Sequence, residues 1–253
     1  MLIDEKYIIN FFTKLGLRKG DTVLLHGNSM GFSQINKPSN DLRTKFFWNL
    51  LFDFVGKQGT VLVPTFTYDF TKNGIYDPDS SQSELGQFSE NFRNLKKIKR
   101  THHPIYSFAV KGNKFNDFMF RNNFSCFGDD SIFNIIHKLN VKIICFGCEL
   151  NSVSFLHYIE EKMKVPYRYY KVFRGKIIVN DKSQDLAVKY YVRKLKTKNE
   201  LNTVFLQKYM KNNRLLKEIF FGRIKVIITS SKKVYKSLTK LLLENKYSLV
   251  KKI

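Results

Sequence analysis

An α/β fold is predicted for this chain of 253 residues: a central mixed, largely parallel sheet flanked by helices, with a smaller C-terminal α+β subdomain. Two observations predict it. Helix-spaced apolar segments alternate with short β-branched runs through the first 150 residues, the pattern of strands joined by crossover helices. Hydrophobic residues make up 43% of the chain and aromatics 15%, enough for a large buried core.

The elements follow in order. Asp4 is placed to cap a helix whose apolar face is Ile8, Phe11, Phe12 and Leu15, and Gly16 supplies a left-handed stop. A strand over Thr22 to Leu25 follows. A second helix starts near Asn40 or Asp41, carries Leu42, Phe46, Leu50 and Phe54, and ends at Gly56. Strands are expected at Thr60 to Val63, Ser107 to Val110 and Val141 to Phe146, with a helix from about Ser131 to Leu139. Between Thr65 and Pro104 lies a long turn-rich passage with one short helical segment, Ser89 to Arg93, which reads as a functional loop region. Beyond Pro166 we expect strands at Tyr170 to Val179 and Leu186 to Arg193, a helix over Val204 to Met210, a strand over Ile224 to Thr229 and a last helix from Ser231 to Leu243. No linker is visible, so residues 1–253 read as a single domain, a core over 1–165 and a basic subdomain over 166–253.

Composition excludes intrinsic disorder. The longest apolar stretch, Phe46 to Val55, is interrupted by Asn49 and Asp53 and is too short to span a bilayer. The start, Met1 to Glu5, lacks the basic leader and apolar core of a signal peptide, so a soluble cytoplasmic protein is expected, with no membrane partner. The net charge is +23, from 44 Lys plus Arg against 21 Asp plus Glu, and most of the excess falls between Lys162 and Lys252. Such asymmetry suits an anionic partner. It is equally what a genome poor in G and C writes, since Ala109 and Ala187 are the only alanines among many Lys, Asn, Ile, Phe and Tyr.

Three cysteines without a secretory leader argue against a disulfide framework. Cys145 and Cys148 have the spacing of redox and zinc sites, but no second pair exists and the stretch reads as the end of a buried strand. Neither metal nor redox chemistry is expected there.

Phosphate-loop and dinucleotide fingerprints are absent. His26-Gly27-Asn28-Ser29-Met30-Gly31 directly follows a strand, where α/β proteins bind ligands. The stronger constellation is Ser154-Phe155-Leu156-His157-Tyr158-Ile159-Glu160-Glu161, a helix capped from Asn151 or Ser152. Residues three apart share a helix face, so Ser154, His157 and Glu160 line up. A carboxylate beside an imidazole fixes its tautomer and raises its basicity, as a general base requires. An interior histidine with an ordinary ion pair meets the same spacing. In Arg100-Thr101-His102-His103-Pro104, Arg100 and the Thr101 hydroxyl suit a phosphate, although a solvated basic turn is also consistent.

The collinear order of these blocks resembles the aminoglycoside 3-N-acetyltransferase family. The resemblance runs through Gly20 to His26, Gly59 to Thr67, Gly86 to Arg93, Arg100 to Pro104 with Ser107, Phe127 to Ser131, and Ser154 to His157 with Glu160. It implies acetyl transfer from acetyl-CoA, as cosubstrate and without metal, to a primary amine on a sugar. His157 is then the expected base, Glu160 its orienting partner and Ser154 a hydroxyl donor. His26, Gly27, Asn28, Ser29, Met30, Arg100, Thr101 and His103 belong to the CoA side, and Thr65, Phe66, Arg168 and Lys171 to the acceptor. Gly27-Asn28 departs from the family's usual pair of serines.

The acceptor is a separate question. Arg168, Lys171, Arg174 and Lys176 follow the His157 helix, and such charge opposes a polycationic antibiotic and favours a diphosphate. A nucleotide-linked amino-deoxy sugar destined for a bacterial surface glycan is therefore the leading expectation. An aminoglycoside antibiotic is the first alternative and a basic nucleic-acid-binding module the second. Nucleic-acid contact beyond non-specific attraction is not expected, and an oligomer is compatible with the sequence.

Overall fold

The computed structural model describes residues 2–119, 125–197 and 199–252. Along the chain run α1 (Glu5–Leu15), β1 (Thr22–Gly27), α2 (Asn40–Val55), β2 (Thr60–Pro64), α3 (Asp69–Asn73), β3 (Ile75–Tyr76), α4 (Gln87–Arg93) and β4 (Lys99–Arg100). Then come β5 (Phe108–Gly112), α5 (Phe115–Met119), α6 (Ile132–Lys138), β6 (Lys142–Phe146), α7 (Phe155–Lys162), β7 (Arg168–Val179) and β8 (Lys182–Arg193). The chain closes with β9 (Asn199–Leu201), α8 (Thr203–Asn212), β10 (Lys217–Phe221), β11 (Ile224–Ser230), α9 (Ser231–Glu244) and β12 (Val250–Lys252).

Seven strands form the main sheet in the order β10-β11-β6-β1-β2-β5-β4. The mixed α/β class expected from the sequence is the one found. Parallel pairing is confined to β1 with its neighbours β2 and β6, and β5, β4, β11 and β10 add on antiparallel. Strand alternation sends Leu24, Leu62, Val110, Ile143, Cys145 and Ile227 to one face. Val23, Leu25, Val61, Val63, Ile144, Phe146 and Val226 go to the other. Ile8, Phe11 and Phe12 of α1 with Phe47, Trp48 and Leu51 of α2 cover the second face, and α6, α7 and α9 cover the first. Both sides of the central strands are thus buried, which is why they read as unbroken apolar runs.

Local chemistry sets the element ends. The Asp4 carboxylate accepts from the Tyr7 amide at 2.8 Å, and Gly16 closes α1 at φ +78°. The β7–β8 hairpin turns on Asn180 and Asp181, both at positive φ (49° and 58°), the geometry that matches strand twist.

Several features differ from the expectation, among them the short elements α5, β9 and β12, which the sequence reading did not place. Besides the expected short helix, here α4, the passage from Thr65 to Pro104 holds α3, β3 and β4, with β3 pairing β7 and β4 forming the edge of the main sheet. Its turn residues conceal elements too short to show a period. Strand β10 was not expected; it pairs β11 across the two-residue turn Gly222-Arg223. Finally, α7 starts at Phe155 with Ser154 at its N-cap position, because Leu150–Ser152 form a separate 3-10 turn, so neither Asn151 nor Ser152 caps it. Residues after 165 join the core sheet directly: β11 lies beside β6, and α9 packs on α6 and α7. Among the described residues no helix is long and apolar enough to cross a membrane.

Candidate active site

Strand β1 is where the sheet order reverses, with β2 on one side and β6 on the other. Parallel alignment brings the carboxyl ends of all three to one edge, the place where open α/β sheets take ligands. There a cavity of about 320 Å³ is lined by His26 and Gly27 after β1, Pro64 and Phe66 after β2, and Cys148, Ser152, Ser154 and His157 after β6. A second cavity, of about 480 Å³, is lined by His157, Glu160, Tyr167, Arg168, Arg193 and Asn199, among others. Asn151, His157 and Tyr190 belong to both walls, so the imidazole stands where the two cavities meet.

His157 and Glu160 lie one turn apart on α7, and His157 Nδ1 donates to Glu160 Oε2 at 2.6 Å. Arg168, at the start of β7, places Nε 2.8 Å from the same carboxylate oxygen and Nη2 2.8 Å from His157 Nδ1. The Glu160 carboxylate is fully buried. Burial alone would raise its pKa, yet the His157 hydrogen bond, Arg168 and the Tyr167 hydroxyl more than offset this and hold it below its ordinary value. For His157, burial and then the Arg168 charge favour the neutral ring over the partial opposition of Glu160, so its pKa is lowered. An ionised Glu160 keeps the proton on Nδ1, which leaves Nε2 as a neutral base. Ser154, at the N-cap position of α7, makes no capping hydrogen bond, so its hydroxyl is not spent on the helix end.

The remaining expected residues divide cleanly. His26 is 4% exposed, lines the smaller cavity, and has an Nε2 with no hydrogen-bond partner; burial lowers its pKa to about 4. A Cβ on Gly27 would sit 2.5 Å from the Phe88 ring, so glycine lets α4 close against the β1 end. Asn28 instead caps the 3-10 turn Ser29–Gln34, its Oδ1 accepting from Met30 N at 2.9 Å, and neither it, Ser29 nor the 70%-exposed Met30 lines the cavity. Lys171 lies on the ribbon above Phe173, outside both cavities. Arg168 lines the larger cavity, with its guanidinium paired to Glu160 and its Nη2 beside the His157 ring.

Arg100, Thr101, His103 and Thr65 form a buried clamp apart from both cavities. Arg100 Nε donates to Thr65 Oγ1 at 3.1 Å and Ser107 Oγ at 3.0 Å, and its two terminal nitrogens donate to the carbonyls of Ser81 and Thr65. The Thr101 hydroxyl accepts from Phe108 N at 2.9 Å, and His103 Nδ1 accepts from the amides of Ile105 and Tyr106. These groups position the loop that carries Phe66. Sequence reasoning named Cys148 but set it aside, and passed over Tyr106 and Tyr190; all three line the smaller cavity. The spacing from Cys145 was a signal for Cys148. Tyr190 comes from a ribbon whose solvent faces hide its period.

An α/β crevice holding a neutral histidine bonded to a buried carboxylate is an arrangement able to accept a proton from a bound group. The sequence model for aminoglycoside 3-N-acetyltransferase matches residues 30–243, and the chain belongs to that family. A prophage-derived aminoglycoside N(3')-acetyltransferase-like protein, YokD of Bacillus subtilis (strain 168), is 23% identical over 179 residues, 61% of this chain and 62% of its own length. This chain thus aligns with less than two thirds of that relative. Among solved structures, aminoglycoside acetyltransferase AAC(3)-Xa superposes with TM-score 0.82 at 18% identity, covering 98% of this chain and 94% of its own. AAC-IIIb, solved as a binary complex with CoASH, gives 0.81 at 16% identity over 96% and 97%. A nucleotide-linked acceptor has no counterpart among these relatives, whose descriptions favour the aminoglycoside alternative. The nucleic-acid module likewise gives way to the family membership.

Proposed function

We propose that this protein transfers the acetyl group of acetyl-CoA to a primary amine of an aminoglycoside-type amino sugar, with His157 as general base. The observation that carries the reading is the position of His157 on the shared wall of two cavities, its Nδ1 bound to a buried carboxylate. Donor and acceptor then approach one imidazole from opposite sides. The smaller cavity suits the thioester end of the donor: His26 contributes a polar nitrogen without a hydrogen-bond partner, with Gly27 beside it in the wall. Bound acetyl-CoA supplies an activated acyl carbon.

The chain's own groups do the rest. His157 Nε2 takes the proton that the attacking amine releases, while Glu160 balances the imidazolium that forms. Ser154 is the hydroxyl donor for the oxygen on which charge develops. The depressed pKa of His157 keeps the base free at neutral pH. His157→Ala should lower turnover by at least about a hundredfold while CoA binding, followed by calorimetry, persists; near-normal turnover would remove His157 from the role.

A second reading is favoured by the larger cavity, where Arg168, Arg193 and Lys251 face only Glu160 and Glu200, and Glu160 is already paired with Arg168. Such a wall suits an amino sugar bearing a phosphate or diphosphate better than a polycation. Thiol release from acetyl-CoA, compared across kanamycin-like acceptors and nucleotide-linked amino sugars, separates the two. Preference for the antibiotic retires the anionic acceptor.

A further inference from the structure

Strand β6 ends on Cys145-Phe146, and the chain then turns on Gly147 at φ +68° to Cys148. Cys145 points to the same face as Ile143, and the turn folds Cys148 back over that face, so both thiols pack on one core cluster. The two thiols interact as hydrogen-bonding partners, and the Ser152 hydroxyl also acts on Cys148. Cys145 is 1% exposed, whereas Cys148 is half-buried and forms part of the smaller cavity's wall with His26, Ser154 and His157. The unpartnered Nε2 of His26, in the same wall, marks this pocket as built for a ligand's polar atom.

The two thiols are not equivalent. The bond to Cys148, with burial, pushes Cys145 well above its ordinary value, so it stays a thiol and donates. The same bond from Cys145, aided by Ser152 against the cost of burial, holds Cys148 below its own. A low thiol pKa in a reachable pocket is the condition for nucleophilic sulfur.

We propose that Cys148 is a covalent modification site for the thiol end of CoA, a reversible mixed disulfide formed inside the cavity. The proposal rests on reading that cavity as the place of the donor's thioester end. The Cys148 thiolate attacks one sulfur of an oxidised low-molecular-weight disulfide of CoA; a bond forms between Sγ and the CoA sulfur, the original S–S bond breaks, and the other half leaves as a thiolate that takes a proton from water. The disulfide is the oxidant and no other is needed. The adduct fills the donor pocket, and excess dithiol reverses it.

The test is intact-mass and peptide-mapping spectrometry of the full chain, pre-reduced and then exposed to CoA disulfide or glutathione disulfide. One CoA moiety on Cys148 is expected, gained at least about tenfold faster than the glutathione adduct because the pocket concentrates the reagent. Labelling should slow when free CoA competes, disappear in Cys148→Ser and slow in Cys145→Ser, and dithiothreitol should restore the original mass. Equal rates with the two disulfides, or labelling of Cys126 in preference, overturn the proposal. If CoA binds by calorimetry yet Cys148 stays unlabelled, the modification fails and the donor pocket stands. If CoA does not bind at all, the donor-pocket reading fails.

Discussion

Arg168 Nη2 lies 2.8 Å from His157 Nδ1, on the same ring nitrogen that Glu160 engages at 2.6 Å. Two neighbours of opposite charge therefore act on one imidazole. Glu160 favours the imidazolium and Arg168 opposes it, and with burial acting first the balance falls on the neutral ring. Beyond lining the larger cavity, Arg168 thus favours the unprotonated form of His157.

Arg168→Gln removes the opposing charge, so the His157 pKa should rise. The acid limb of kcat/KM, expected below the ordinary histidine value of 6.5 in the parent protein, should move to higher pH in the variant. Glu160 also loses its cationic partner in a fully buried position, at a cost of about 3–5 kcal/mol in stability. A pH profile of acetyl transfer and a denaturant titration read the two effects separately. An unmoved acid limb would refute the tuning role.

The Arg100 clamp gives a prediction of the opposite kind. Arg100 is 4% exposed, and its guanidinium donates to Thr65, Ser107 and two backbone carbonyls. Arg100→Lys cannot reproduce that planar set of bonds, and stability should fall by about 2–4 kcal/mol. At a temperature where the variant is folded, the KM for acetyl-CoA should change less than about threefold, whereas a CoA-phosphate ligand would lose about tenfold or more. Urea unfolding and initial-rate kinetics on one preparation decide between them.

The contrast between Arg168 and Arg100 shows what was legible beforehand. Periodicity exposed the helices and central strands because each buries one stripe or both faces, and the spacing of His157 and Glu160 predicted their hydrogen bond because three residues nearly complete a helical turn. The partners that decide what an arginine does are remote in sequence: Arg100 meets Thr65 across 35 positions. No local pattern encodes such closure. Elements of two to five residues, such as β3, β4 and β10, are set by their sheet neighbours and leave little period to read.

Gly27 offers a direct packing test. A methyl group there would press into the Phe88 ring at 2.5 Å, and Phe88 is itself stacked on Phe32 with centroids 5.5 Å apart, so the ring has little room to yield. Gly27→Ala should cost about 1–3 kcal/mol through overpacking. Combining it with Phe88→Leu, which removes the clashing ring atoms, should cost less than the sum of the single changes, a coupling of at least about 0.5 kcal/mol. Strict additivity in a double-mutant cycle would show that the ring is not what excludes a side chain at position 27.

Acid should destabilise the protein through two buried histidines. Burial lowers His26 from 6.5 to about 4 and His103 to about 3. Below 6.5 the unfolded chain takes up protons that these rings refuse in the fold, so stability falls with pH, down to about 4 for His26 and about 3 for His103. At pH 5 each ring should have removed about 2 kcal/mol relative to neutral pH. Urea titrations at pH 7 and pH 5 measure the loss, which should be smaller by about 2 kcal/mol in His26→Asn, since that side chain has no proton to take up. A variant as acid-sensitive as the parent would place the titration elsewhere than His26.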